Sequence, residues 1–266
     1  MSLNYQKILE QRIEARIEHP SILDVRTNLI HFALINYALP KERLERLIPT
    51  DRFEIPEFEI RGKKLALMSA VPFIDVDFHF LKIPFLKFKF PQTNYRVYVI
   101  DKKTGEHSVW FFGTTLGSYY VYIPRYGFNI PWHYAKYDFD IEWNSKLNKY
   151  ERYSLSTKSN WGESKIELED TGELIEEHEG FSSYSEMKLV LTHPTNGFFY
   201  RNDGQLGTYS IWHDEMKLTK AKPVHLYFGL YERLGLLSQN EMLQPVSIFL
   251  CNEILFDVYL PPKIET

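Results

Sequence analysis

Apolar and polar residues alternate with a period of two in many short segments of this chain. The clearest is residues 136–143, where Tyr137, Phe139, Ile141 and Trp143 alternate with charged residues. Successive side chains of a β-strand point to opposite faces of the sheet, so this pattern predicts strands with one buried face. Turn signals separate such segments at short intervals, which is typical of an antiparallel sheet. So many strands predict a mainly β fold that closes into an antiparallel barrel or cone.

Few segments have helical periodicity. Apolar residues at helical spacing predict an N-terminal helix over Ser2–Glu18, ending before Pro20. A second, short helix is predicted over Lys41–Leu47, where Pro40 suits the first turn. We therefore expect the helices to be few and to lie at the periphery of the β-structure.

Length and composition limit the number of domains. The chain has 266 residues, of which 44% are hydrophobic, and barrels of this size often form one domain. We predict a single domain over residues 1–266. The high content of Phe and Tyr suits a pleated sheet and also the wall of a cavity.

Several functional classes are disfavoured by the sequence. The net charge of −4 argues against a nucleic-acid partner, because such proteins normally carry a basic surplus. Neither a phosphate-binding glycine loop nor a zinc-binding helix motif is present, and the histidines show no metal-ligand spacing, so we predict no cofactor and no metal. Cys251 is the single cysteine, and we expect it to be a buried apolar residue.

The N-terminal segment is charged throughout, and no apolar run is long enough to span a bilayer. These features predict a cytoplasmic protein with no membrane partner. The oligomeric state stays open, a homo-oligomer included.

One strand carries three polar side chains on the same face. Asn94, Arg96 and Tyr98 are spaced by two, and we expect all three to point into the barrel. Arginine offers a two-pronged donor that matches a carboxylate, so these residues are candidates for binding a ligand. The same three residues would equally suit a buried structural network.

A second candidate region is the segment RYGFNIPWH, residues 125–133. Arg125, Trp132 and His133 are candidate ligand-binding residues, and His133 is the candidate for proton transfer near neutral pH. The alternative for His133, and for His213 beside Trp212, is a structural role.

An acidic pair also occurs in the sequence. Asp75 and Asp77 are spaced by two, as a catalytic carboxylate pair would require, but we expect both to be solvated at a strand end.

Two segments resemble a known family. FPQTNYRVYV, residues 90–99, and HSVWFFGTTLGSYYVYIPRYGFNIPWHYAKYDF, residues 107–139, resemble the uncharacterised bacterial family DUF2071, also called YqjF-like. The family pattern has an acidic residue where this chain has Gln92. That family is similar to acetoacetate decarboxylase, whose fold is an antiparallel, cone-like β-barrel around an apolar cavity. The resemblance therefore implies this fold, and a cavity, for the present chain.

The resemblance also bears on the chemistry. Arg125, Pro131 and Ala135 match the decarboxylase motif, whereas Trp132 and His133 stand where that enzyme has its two lysines. The resemblance thus implies the fold without Schiff-base chemistry, which requires a lysine amine.

Three functional classes remain. We favour a protein that binds a small carboxylate or carbonyl compound in the barrel cavity. The first alternative is a lyase- or hydrolase-like enzyme that acts on a small oxo-acid by acid–base catalysis, with Arg96, Arg125 and His133. The second is a structural protein whose barrel is filled by its own side chains.

Overall fold

A computed structural model describes residues 4–17 and 20–265. In this part of the chain the strands are β1 Val25–Leu39, β2 Phe53–Glu54, β3 Glu57–Ile60, β4 Lys63–Phe80, β5 Phe88–Asp101, β6 His107–Leu116, β7 Trp132–Tyr134, β8 Lys136–Asn144, β9 Lys149–Lys158, β10 Ser164–Leu174, β11 Asn196–Tyr200, β12 Leu206–His213, β13 Thr219–Phe228 and β14 Ser247–Ile264. The α-helices are α1 Tyr5–Glu14, α2 Glu42–Glu45, α3 Tyr122–Gly127, α4 Tyr184–Leu191, α5 Gly229–Arg233 and α6 Gln239–Met242. The prediction of a mainly β fold is confirmed.

Seven of the strands form a ring. Their order is β1, β4, β5, β6, β11, β12 and β14, and β14 pairs with β1 to close it. The closing register sets Val25 opposite Val258 and Asn36 opposite Ser247. From β14 the sheet also continues into an arm formed by β13, β10, β9 and β8. Strand pairing thus encloses an interior, as the sequence predicted.

The sheet is mixed because β6 pairs in parallel with β11 and with β7, whereas the other paired strands are antiparallel. A parallel return needs a long connection, and the arm strands β8, β9 and β10 together with α4 lie between β6 and β11 in the chain.

The two faces of the ring strands belong to different cores. Tyr95, Val97 and Val99 of β5 pack in a cluster with residues of the arm such as Leu155. Tyr98, on the opposite face, belongs to a second cluster. Period-two alternation therefore sends one set of side chains toward the arm and the other into the ring.

The helices are short and lie beside the sheet. Helix α1 begins after Asn4, whose side chain caps it by accepting from the backbone N–H of Lys7 at 3.1 Å. It covers the middle of the predicted N-terminal helix, whereas Ser2 and Glu18 lie outside the described residues. Helix α2 is shorter than the predicted Lys41–Leu47. No helix in the described ranges is long and apolar enough to cross a membrane.

Candidate functional site

The ring encloses a cavity of about 100 Å³. Each of the seven ring strands contributes at least one residue to its wall. Strand β5 contributes Gln92, Asn94 and Arg96, of which Asn94 and Arg96 belong to the series that the sequence predicted to face inward. Most of the remaining wall is apolar, so the few polar groups decide what the cavity can bind.

Arg96 is the charged anchor of the cavity and is 8% exposed. Its Nε donates to Ser69 Oγ at 3.1 Å, and its Nη2 donates to the carbonyl oxygen of Leu191 at 3.0 Å. Nη1 has no hydrogen-bond partner, and the guanidinium no ion pair, within residues 4–17 and 20–265. A buried charge without a counter-charge is unfavourable, so the free Nη1 of this guanidinium is suited to hydrogen-bond an anion.

Asn94 and Tyr98 flank Arg96 on the same face of β5 but have different roles. Asn94 lines the cavity, and its Oδ1 accepts from Thr114 Oγ1 at 2.7 Å. Tyr98 is 1% exposed and does not line the cavity. Its hydroxyl lies 3.2 Å from Ser69 Oγ, the group that also holds Arg96, and the guanidinium lies 5.5 Å from the Tyr98 ring centroid. Tyr98 therefore helps to position Arg96, through Ser69 and through its ring, without lining the cavity.

Asp75 is a cavity residue that the sequence did not indicate. We expected it to be solvated, and this expectation is wrong, because it is 3% exposed and lies in the cavity wall. Its Oδ1 accepts from Thr27 Oγ1 at 2.9 Å, while its Oδ2 is buried with no partner in the described chain. Burial raises the pKa of Asp75 to about 8, so this carboxyl is mostly protonated at neutral pH.

A β-bulge explains why Asp75 and Asp77 differ. The pairing of β4 with β5 shifts between Asp75 and Phe78, and Asp77 adopts a φ of 56°. The bulge breaks the alternation, so Asp77 stays at the surface and pairs with Lys87 at 3.2 Å. The two carboxyl groups therefore do not form a catalytic pair.

Strand β7 separates the remaining candidates. It has three residues and pairs in parallel with β6, and Trp132 lines the ring cavity. The next residue, His133, points to the other side, because strand side chains alternate. His133 and Arg125 line a surface groove instead of the cavity. The structure thus brings Asn94, Arg96 and Trp132 together and places Arg125 and His133 apart from them.

His133 is held by aromatic stacking and by Arg125. Its ring lies parallel to that of Trp161, with centroids 4.1 Å apart. Arg125 Nη1 donates to the carbonyl oxygen of Trp132 at 2.5 Å and to Nδ1 of His133 at 3.1 Å, so the neutral ring carries its proton on Nε2. Burial, and then the charges of Arg125 and Arg233, lower the pKa of His133 to about 3. An imidazole that stays neutral at pH 7 does not match the proton-transfer role considered for it.

The cavity wall contains no lysine. Cys251 is buried, as expected, and burial raises the pKa of its thiol to about 11. No group of three or more His, Cys, Asp or Glu residues in the described ranges is arranged to hold a metal ion. Within this cavity, the polar groups available to a ligand are therefore an arginine, amides, hydroxyls and one protonated carboxyl.

Solved structures with this architecture are known. The enduracididine biosynthesis enzyme MppR, complexed with pyruvate, is similar with a TM-score of 0.61 and 8% identity, over 94% of this chain and 93% of that chain. An acetoacetate decarboxylase-like enzyme from Sphingomonas wittichii RW1 has a TM-score of 0.57 and 6% identity, over 92% and 94% of the two chains. The acetoacetate decarboxylase of Legionella pneumophila has a TM-score of 0.54 and 14% identity, over 100% and 97%. At such identities the likeness shows the fold alone.

Sequence comparison gives the family. No curated protein matches the chain. A family model for DUF2071, described as an uncharacterized conserved protein, matches residues 26–253. Since this match covers most of the chain, the protein belongs to the DUF2071 family and has an acetoacetate decarboxylase-like fold.

Proposed function

We propose that this protein binds a small compound with a carboxylate group in the ring cavity, with the carboxylate against Arg96. One observation carries the proposal: Arg96 is buried in a mostly apolar cavity wall, and one of its terminal nitrogens has no partner in the described chain. A carboxylate would accept a charge-assisted hydrogen bond there and would neutralise the buried cation.

The size of the cavity limits the ligand. An apolar protein cavity of about 150 Å³ holds one benzene molecule, and the present cavity measures about 100 Å³. A small oxo- or hydroxy-acid is of suitable size. Pyruvate is the first probe to use, because MppR, which shares this fold, is described in complex with it.

Binding without turnover is the better-supported form of this function. A Schiff base requires a lysine, and the cavity wall has none. The structural alternative, in which side chains fill the barrel, is disfavoured by the presence of a cavity.

Acid–base catalysis is the second candidate, and Asp75 is the residue that would favour it. A protonated carboxyl in an apolar cavity is a suitable general acid. Asp75 pairs with Phe90, however, which precedes Arg96 by six residues on the same strand. No hydrogen bond or ion pair joins Asp75 to Arg96 in the described chain, and their backbones lie at different levels of the cavity wall. Acid–base catalysis by Asp75 therefore requires a ligand that reaches from one group to the other within the cavity.

The test is a thermal-shift screen of small oxo- and hydroxy-acids, starting with pyruvate. A ligand at about 100 times its Kd stabilises the folded state by about 2.7 kcal/mol, which raises Tm by about 5–10 °C for a chain of this size. Arg96→Gln should abolish the shift, each variant being compared with itself without ligand. The matched control is Arg152→Gln, because Arg152 is 58% exposed and pairs with Asp140 on the arm.

Arg96→Lys keeps the charge but loses the two-pronged donor, so it should bind more weakly than the wild type and more tightly than Arg96→Gln. The proposal is refuted if no carboxylate gives a shift, or if Arg96→Gln binds as tightly as Arg152→Gln.

A further inference from the structure

A surface groove of about 670 Å³ lies beside helix α3 and strand β7. It shares no lining residue with the ring cavity, so it is a separate site. One side carries Tyr122 and Tyr126 of α3, and the other carries Trp161 from the turn between β9 and β10. Two of the candidate residues that the cavity does not contain, Arg125 and His133, line this groove.

Aromatic rings form both sides of the groove. Tyr122 and Tyr126 stack with centroids 5.9 Å apart, and Tyr126 is 74% exposed. On the other side, His133 and Trp161 stack in parallel. Gly113 permits this arrangement, because a Cβ built there would lie 2.7 Å from the Trp161 ring. The exposed ring of Tyr126 and the partly exposed ring of Trp161 offer aromatic contacts to a flat ring in the groove.

The groove is also positively charged. Lys136 and Lys158 line it and stand directly opposite each other in the pairing of β8 with β9. Like charges in this position destabilise a sheet. Neither lysine, nor Arg125, forms an ion pair with any carboxylate in residues 4–17 and 20–265, and Glu163 is the single acidic residue of the wall. Although the chain has a net charge of −4, this local excess of positive charge favours the binding of an anion.

We propose that the groove binds a small aromatic anion, whose ring stacks on the exposed aromatic side chains and whose anionic group lies beside Lys136 and Lys158. His133 stays uncharged here, because burial and then the charge of Arg125 lower its pKa, and its ring serves as a stacking surface. The anionic group is a phosphate or a carboxylate, since both satisfy a lysine pair.

The proposal is tested by isothermal titration with AMP for the phosphate and indole-3-acetate for the carboxylate. Adenosine lacks the charge and inorganic phosphate lacks the ring, so each should bind more weakly than AMP. The double variant Lys136→Gln/Lys158→Gln should bind the better probe about tenfold more weakly, which corresponds to about 1.4 kcal/mol. The matched control is Lys165→Gln, an exposed lysine of the neighbouring strand β10 that does not line the groove.

Two further variants separate this site from the ring cavity and from an interface. Tyr126→Ala should weaken binding at least fivefold through lost stacking, whereas Arg96→Gln should leave it unchanged. The proposal is overturned if neither aromatic anion binds with a Kd below about 1 mM, or if the lysine double variant binds like Lys165→Gln. It is also overturned if sedimentation shows a dimer that Tyr126→Ala dissociates, because a second copy would then cover the groove.

Discussion

Replacing Asp75 by asparagine should stabilise this protein at neutral pH, although Asp75 is fully buried. Burial raises the pKa of its carboxyl from 3.8 to about 8. The unfolded chain is therefore ionised at pH 7 while the folded chain holds a proton at this position. Asparagine has a similar shape, stays neutral in both states and keeps an oxygen to accept from Thr27.

The magnitude follows from the two pKa values. Between about pH 4 and pH 8 the folded state binds a proton that the unfolded state lacks, so stability falls as the pH rises through this window. At about 1.4 kcal/mol per pH unit, protonating the unfolded-state carboxylate at about pH 7 costs about 4 kcal/mol. At about pH 4.5 the same cost is about 1 kcal/mol. The advantage of Asp75→Asn should shrink by about 3 kcal/mol between these two pH values.

The assay is urea denaturation of both proteins at each pH, with the free energy of unfolding obtained by linear extrapolation. Any cost of burying the asparagine amide is common to both pH values and cancels from the comparison. The control is Asp77→Asn, since the Asp77 side chain is 50% exposed, and its effect should stay within about 1 kcal/mol. The reasoning is refuted if Asp75→Asn is less stable at neutral pH, or if its difference from the wild type does not change with pH.

Two other predictions concern a buried histidine and the absence of imine chemistry. The rings of His193 and His213 have centroids 4.2 Å apart. Burial, and then the charge of His213, lower the pKa of His193 from 6.5 to about 2. His193 therefore contributes stability above pH 6.5, and this contribution is lost as the pH falls below that value. Between about pH 7 and pH 5 the variant His193→Gln should lose about 2 kcal/mol less stability than the wild type in urea denaturation, and equal losses would contradict this. Incubation of this protein with acetoacetate and borohydride should leave its intact mass unchanged, because the cavity wall has no lysine to form an imine. A Schiff-base decarboxylase serves as the positive control. A stoichiometric adduct on this protein would show that it forms an imine.

Much of the fold could be predicted because the signals are local. Strand β8 matches the alternating segment that begins at Lys136, and helix α1 lies within the helix predicted before Pro20. On β5, period two alone placed Asn94 and Arg96 on one face, and both line the cavity, whereas Tyr98 of the same predicted series does not. Each of these features depends on residues that are close together in the chain.

The parts of the site that were missed depend on distant contacts. Asp75 is held by Thr27 and shares the cavity wall with Leu260, which come from strands far away in sequence, and a bulge removes its relation to Asp77. Strand β7 has three residues, too few for a period to be recognised, so Trp132 and His133 were assigned to one site. Because neighbouring residues of a strand point to opposite faces, Trp132 faces the ring cavity and His133 faces the surface groove.

Two buried side chains of the ring cavity, Arg96 and Asp75, lower the stability of the folded protein for different reasons. Arg96 is a charge without a counter-ion in the described chain, and Asp75 remains neutral on β4, opposite Phe90. Both arrangements reduce stability, which proteins tolerate mainly at functional sites. An ionised Asp75 would repel an anion on its way to Arg96, whereas the protonated form leaves the cavity with a net positive charge. Destabilisation at Asp75 and affinity for an anion at Arg96 are therefore two results of the same burial. A bound carboxylate would neutralise the unpaired charge of Arg96 without changing the cost of protonating Asp75.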